Sequence, residues 1–181
     1  MIWPISIPAA RLEDGEVSLR EYSPADAQGL FEAIHDERVW EHIPREIPRD
    51  AGELDAGIRA KLGDLQRLTF TVRSGERVIG TTSIMYDRSA PDGVEIGATQ
   101  FDPAVWGTGV NGRVKEVLLR ELFAHGVQWV QLRTDERNAR SAAAIRKLGA
   151  TDLGVRQDTL IRRDGTTRRS HFFRLDRPVT E

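Results

Sequence analysis

The chain reads as one mixed α/β domain, and three observations predict it. Its 181 residues correspond to one domain at roughly 100–200 residues each, long enough to bury a core without staples. Apolar residues alternate between strand and helix spacing in the order β-α-α-β-β-β-α-β-α-β-β. The strand–helix–strand unit within that order implies a parallel pair joined by a right-handed crossover. The hairpin signals on either side imply antiparallel neighbours, so the expected sheet is mixed and mostly antiparallel.

Each element has a local reason. Residues 1–16 read as an irregular lead-in, and Val17 to Glu21 as a short strand. Ser23-Pro24-Ala25-Asp26 carries an N-cap residue, a proline at the first helical position and an acid at the third. Leu30, Ile34 and Phe31 supply that helix's apolar stripe. Pro44 and Pro48 mark Val39 to Arg49 as a loop. A second helix, about Asp50 to Gln66, has Leu54, Ile58, Leu62 and Leu65 at helical spacing. Leu68, Phe70 and Val72 then alternate, Ser74-Gly75-Glu76 turns, and Val78 to Met85 returns. Pro91-Asp92-Gly93 leads into the strand Val94 to Phe101. Val110, Val114, Val117, Leu118 and Leu122 share one helix face. Val127 to Thr134 is a strand with Val130 and Leu132 inward. Asn138 to Leu148 is a helix opened by an N-cap type and stopped by Gly149. Two long strands follow around Asp164-Gly165, a hairpin signal.

Composition narrows the function classes. No run of about 18 apolar residues is present for a spanning helix, and the opening Met-Ile-Trp-Pro-Ile-Ser-Ile-Pro lacks the basic region of a signal peptide. A cytoplasmic address is expected. Cysteine is absent, which excludes disulfides, thiolate metal sites and a thiol nucleophile. A formal charge of −2 argues against a nucleic-acid binder, for which a basic excess is usual. The four histidines have no zinc-ligand spacing, and no metal is expected. No serine-hydrolase elbow or Walker loop is present.

The most informative segment is Asp102-Pro103-Ala104-Val105-Trp106-Gly107-Thr108-Gly109-Val110-Asn111-Gly112, between a strand and a helix. Glycines there let backbone N–H groups approach an anion, and the helix N-terminus adds a positive dipole end. A pyrophosphate suits such a turn; the plainer reading is a tight connection without a ligand. Gly107, Gly109 and Gly112 also spell the dinucleotide fingerprint, with Asp135 about twenty residues on. Four residues separate the strand from the first glycine, the turn falls mid-chain, and too little chain follows for a doubly wound sheet. A Rossmann module is therefore the weaker reading.

Glu95-Ile96-Gly97, Asp102-Pro103, Trp106-Gly107-Thr108-Gly109, Asn138-Ala139-Arg140-Ser141 and Lys147-Leu148-Gly149-Ala150 together resemble the GNAT superfamily of N-acetyltransferases, in particular the branch with the ribosomal-protein alanine acetyltransferases. The resemblance spans about Val17 to Leu175. It implies one acetyltransferase domain over residues 1–181, helices on both sheet faces, and acetyl-CoA lying where the parallel pair splays. The strand end Thr99, Gln100 and Phe101 would pair with the pantetheine arm. Trp106, Gly107, Thr108, Gly109, Val110 and Asn111 would hold the pyrophosphate. Asn138 would reach the pantetheine or acetyl region, and Ser141 the thioester sulfur. The family's loop begins with Gln or Arg and ends with Gly or Ala, where this chain has Trp106 and Asn111; Arg113 stands where an acid is common.

Acetyl transfer to an amine requires a deprotonated amine, a donor for the developing oxyanion and a proton for the leaving thiolate. Without cysteine, direct attack in a ternary complex is expected, with positioning as its main gain. The candidate catalytic residues are Ser141, as a proton or hydrogen-bond donor near sulfur, and Glu95, as a base acting through water. Plainer roles stand beside them: a first-turn serine, an N-cap for Asn138, and a strand glutamate facing solvent or an arginine. Glu41 and His42 are alternative bases in a loop that is otherwise solvated. His35 and His125 read as surface residues, and the role of His171 is open. Residues 156–177 hold seven arginines against three aspartates. That excess either steers an acidic substrate or ribosomal RNA or discourages edge pairing. The acceptor is an amine of open identity: protein N-terminus, polyamine, antibiotic or metabolite. No membrane partner is expected, nor nucleic acid except through a ribosomal substrate, and the chain would act as a monomer or homodimer. A non-catalytic acyl-CoA-binding sensor of the same fold is the alternative.

Overall fold

A computed structural model describes residues 3–62 and 66–179. Strand β1 (Glu13–Asp14) and strand β2 (Val17–Glu21) are followed by helices α1 (Ala27–Ile34), α2 (Glu37–Trp40) and α3 (Ala51–Leu62). Strands β3 (Arg67–Ser74), β4 (Arg77–Tyr86) and β5 (Gly93–Phe101) lead to α4 (Val110–Ala124), β6 (Trp129–Asp135) and α5 (Ala139–Lys147). Strands β7 (Thr151–Ile161) and β8 (Thr167–Asp176) close the order. The eight strands form one sheet, ordered β1-β2-β3-β4-β5-β6-β8-β7. Only β5 and β6 run parallel; the other pairs are antiparallel.

Two apolar clusters lie on the two sheet faces. One joins Val114, Val117, Leu118 and Leu122 of α4 and Ile145 of α5 to Leu19, Phe70, Val72, Ile84, Ile96, Val130, Leu132 and Phe173. The other gathers Tyr22, Leu30, Ile34, Trp40, Leu54 and Val78 under α1 and α3. Fully burying side chains of this kind stabilises by about 1.5–3 kcal/mol each. Trp106 packs against both clusters, so the strand-to-helix turn is anchored on both sides.

Three expectations need correction. The lead-in is partly ordered: Ala9–Arg11 forms a 3-10 turn, β1 pairs with β2, and Ile5 and Leu12 are buried. Irregular sequence there hides two core residues that tie it down. The loop Val39 to Arg49 begins inside α2, because the Asp36 side chain accepts from the Arg38 N–H and the Trp40 indole donates to the Ile34 carbonyl (2.6 Å). Burial of Val39 and Trp40 outweighs the nearby prolines. Helix α3 is described from Ala51 to Leu62 and Gln66 stands in a turn, not in the helix; residues 63–65, Leu65 among them, lie outside the described residues. The segment expected to open the first helix forms a 3-10 turn, Pro24–Asp26, ahead of α1, and the Ser23 N–H donates to Asp26 Oδ2 (3.1 Å) at its start.

Candidate active site

The parallel pair holds for three residues only. Gly93, Val94 and Glu95 pair with Trp129, Val130 and Gln131. Beyond that point β6 continues along β8 as far as Asp135, and β5 continues along β4 to Phe101. The two parallel strands therefore part, leaving the β6-facing edge of residues 96–101 open. The parting has a local cause. Between Ser83↔Gly97 and Thr81↔Gln100, β5 carries one more residue than β4, and such a bulge bends the strand. Ala98 sits there at φ 48°, a left-handed conformation costing an L-residue roughly 1–2 kcal/mol.

The glycine turn lies at the end of β5. Asp102 accepts from the Ala104 N–H (2.8 Å) and pairs with Arg77. The Trp106 indole donates to the Phe101 carbonyl (3.0 Å), tying turn to strand. Gly107 and Gly109 have φ of 78° and 85°, where a side chain would be strained. The Thr108 hydroxyl turns back to the Val105 carbonyl (2.8 Å). The N–H groups of Gly107, Gly109, Val110, Asn111 and Gly112 have no acceptor among the described residues. They open the 15-residue helix α4, whose dipole adds positive potential there. Gln100 Nε2 is buried without a partner, which leaves a donor for a ligand, and Asn111 Oδ1, an acceptor, is buried without one as well. These residues fit a pyrophosphate-bearing acyl carrier.

The other wall is the first turn of α5. Asn138 caps it by accepting from the Ser141 N–H (3.0 Å), which leaves the Asn138 amide nitrogen and the half-buried Ser141 hydroxyl without a partner among the described residues. Arg140 lies 3.5 Å over the Trp106 ring, a cation–π contact that brings this turn against the glycine turn. Arg140 over Trp106 sets the turn that holds Asn138 and Ser141 beside the turn Trp106 to Asn111, and Thr99, Gln100 and Phe101 form the end of β5 that leads into it. Trp106 enters as a brace, its indole N–H already used.

Glu95 is at the foot of the gap with both oxygens engaged: Oε2 accepts from Gln131 Nε2 (2.9 Å) and Oε1 from Arg133 Nε (2.9 Å). Arg133 also reaches Asp158 (3.1 Å), which accepts from Ser170 Oγ (2.7 Å). On the same face, Arg67 donates to Thr69 (3.2 Å) and Ser83 (2.8 Å). A polar row therefore crosses the sheet from β3 to β7, opposite the apolar face under α4. Sequence reasoning missed this row, because its members pair only through strand register. It also missed Lys115 in the buried row of α4; a lysine three residues before Leu118 in an apolar stripe was the available signal.

Glu41 and His42 line a cavity of about 430 Å³ with Ile43, Asp135, Arg137 and Arg162. Burial works against the Asp135 charge, but hydrogen bonds from Arg162 (2.8 and 3.0 Å) and the Arg137 N–H outweigh it and hold the carboxyl below its usual range. The remaining histidines have structural partners: His35 with the Glu32 carbonyl (2.9 Å), His125 with the Glu121 carbonyl (2.8 Å), and His171 with Asp152 (2.5 Å) and stacked on Phe173. His125 is half-buried, not a plain surface residue. Several arginines of the basic hairpin are paired: Arg162 with Asp135 and Glu136, Arg169 with Glu136, and Arg174 with Asp176.

A parted parallel pair, a bulge and a glycine turn opening a helix set the site in a mixed α/β fold, and the chain belongs to the GNAT acetyltransferase family. The acetyltransferase (GNAT) domain profile matches residues 16–151. A Chromobacterium violaceum protein assigned to the GNAT acetyltransferases superposes with a TM-score of 0.85 at 22% identity, over 97% of this chain and 92% of that one. A Vibrio fischeri ribosomal-protein-S5-alanine acetyltransferase gives 0.76 at 16%, over 93% and 97%. A Vibrio cholerae spermidine N-acetyltransferase, in complex with CoA and spermine, gives 0.74 at 13%, over 91% and 97%. No protein of curated function matches in sequence. The fold class is that expected: one domain, a mixed sheet with one parallel pair, and helices on both faces.

Proposed function

We propose that the chain is an acetyl-CoA-dependent N-acetyltransferase acting on a primary amine by direct attack within a ternary complex. One observation carries this: β5 and β6 part after Glu95 and Gln131 beside a turn with five free N–H groups. Acetyl-CoA supplies the activated acetyl thioester. The N–H groups of Gly107 and of Gly109 to Gly112 would hold its pyrophosphate, and the open edge of Thr99 to Phe101 its pantetheine arm. The Asn138 amide would reach the same arm, and the Ser141 hydroxyl would donate a hydrogen bond to the leaving sulfur. Glu95 retains lone pairs beyond the two it uses and takes the amine's proton through water. The acceptor amine enters over the polar row, a surface suited to a peptide N-terminus or a small polar amine. A cytoplasmic enzyme, monomeric or homodimeric and akin to the ribosomal-protein alanine acetyltransferases, is consistent with these features.

Thermal unfolding with acetyl-CoA, against an NAD control, tests the reading. At about 100 times its Kd a ligand adds roughly 2.7 kcal/mol, a rise on the order of 5–10 °C for this size. No rise at millimolar acetyl-CoA overturns it. The engagement of both Glu95 oxygens favours one alternative, a non-catalytic acyl-CoA sensor. Thioester turnover with an amine panel, against binding alone, separates the two.

A further inference from the structure

Lys115 lies one helical turn past the glycine turn, in the row of α4 that faces the sheet, and is 5% exposed. Its Nζ donates to Thr99 Oγ1 (2.7 Å) and Thr82 Oγ1 (3.1 Å), and those hydroxyls bond each other (2.8 Å). Among the described residues no carboxylate pairs with it: its partners are Thr82 on β4 and Thr99 on β5, and Asn111 stands one turn back on its own helix. Burial holds its pKa down to about 7. An ammonium buried without a counter-charge is costly, and leucine would fill this row without that cost. Packing therefore does not account for the lysine.

Its contacts do. Thr99 lies in the bulged stretch of β5, and Thr82 is the β4 residue at which the register shifts. Lys115 thus ties together the two side chains that stand at the bulge, one from each strand. Asn111, four residues earlier and on the same helix face, has a buried Oδ1 without a partner, and Lys115 has a third N–H to give. We infer that Lys115 is a positioning residue that locks the bulged end of β5 to the first turn of α4, fixing the spacing between the thioester and pyrophosphate ends of the acetyl-CoA gap. This rests on the acetyl-CoA reading above. An anionic ligand at that turn also favours the protonated amine, so binding near pH 7.5 draws in protons.

The test is calorimetric titration with acetyl-CoA at pH 7.5, in two buffers of different ionisation enthalpy, on the wild type and Lys115→Met. The urea midpoint of each unliganded protein is measured alongside. Loss of a charge-assisted hydrogen-bond set predicts about tenfold weaker binding by Lys115→Met, with fewer protons taken up than in the wild type. Equal affinity and equal proton uptake overturn the inference and leave the acetyl-CoA reading standing. Absence of binding by the wild type overturns both. Should Lys115→Met not fold, Thr82→Val removes one acceptor of Nζ and predicts about threefold weaker binding, with Thr82→Ser restoring the wild-type value. A Thr82→Val protein that binds as the wild type does overturns the inference as well.

Discussion

The two sides of the gap are built from different materials. The cofactor side uses backbone: N–H groups of Gly107 to Gly112, an open strand edge at residues 96–101, and one helix dipole. Its parts are contiguous in the chain. The acceptor side uses side chains drawn from six strands in two bonded groups, Arg67 with Ser83, and Glu95 with Arg133, Asp158 and Ser170. A backbone anion site needs only a local run of residues that tolerates φ near +80°. A charge row needs register across the whole sheet. The first tolerates changes of side chain but not of glycine, and the second the reverse.

The largest effect should therefore fall on Gly109. A Cβ there would meet nothing within 4 Å, so the Cβ of Gly109→Val crowds no protein atom, and its methyl groups add bulk beside the N–H groups that would hold the anion. The left-handed strain of roughly 1–2 kcal/mol lowers the unliganded midpoint by about 3–6 °C. The acetyl-CoA-dependent rise should vanish entirely. A Gly109→Val protein that keeps that rise would place the anion elsewhere and dissolve the contrast between the two sides.

Glu95→Gln probes the other side. Acetyl-CoA should still raise the midpoint as in the wild type, because no backbone donor changes. Turnover with an accepted amine should fall about a hundredfold, within the range of a lost general base. The fall should be in kcat and should be relieved as pH rises and more of the amine is already neutral. A rise in the acceptor KM with kcat intact would instead assign Glu95 to holding Arg133 in the charge row.

The same contrast explains what could be read from the chain alone. The turn at Trp106 to Gly112, the N-cap at Asn138 and the apolar stripe of α4 are local patterns, and each element lies where its pattern puts it. The ordered lead-in was hidden because Ile5 and Leu12 are held by contacts with distant strands. Glu95 was visible as a strand glutamate, but its engagement by Gln131 and Arg133 depends on the three-residue parallel register. Lys115 was overlooked because a charge in an apolar stripe ordinarily snorkels to water, and here a bulge on another strand supplies its partners.

Asp135 tests the charge row through stability. Its folded pKa is depressed, above all by Arg162 against the opposing pull of burial. Its contribution is therefore present above the unfolded carboxylate pKa and lost as pH falls through the folded value. Asp135→Asn should lower the urea midpoint at pH 7, and the gap from the wild type should narrow below about pH 3.9. A gap independent of pH would mean that the side chain contributes packing alone.

The smallest effect concerns the arginine-rich hairpin. Read as sequence, its excess of four positive charges could draw an acidic substrate or RNA to the acceptor mouth. In the fold, Arg162 and Arg169 answer Asp135 and Glu136, and Asp158 and Asp164 answer Arg133 and Arg137. Arg163 donates to the Trp40 carbonyl (3.1 Å). Arg133 and Arg137 bring in as much positive charge as Asp135 and Glu136 bring negative, so pairing leaves the excess in place, and it is salt that limits its reach: at 0.1 M the Debye length is about 10 Å. The kcat/KM for an amine acceptor should change less than about twofold between 0.05 and 0.5 M salt, where steering would show as a steep fall. A steep fall would mean that Arg156 and Arg177, which lie outside these pairs, carry the attraction, and that the acceptor is acidic.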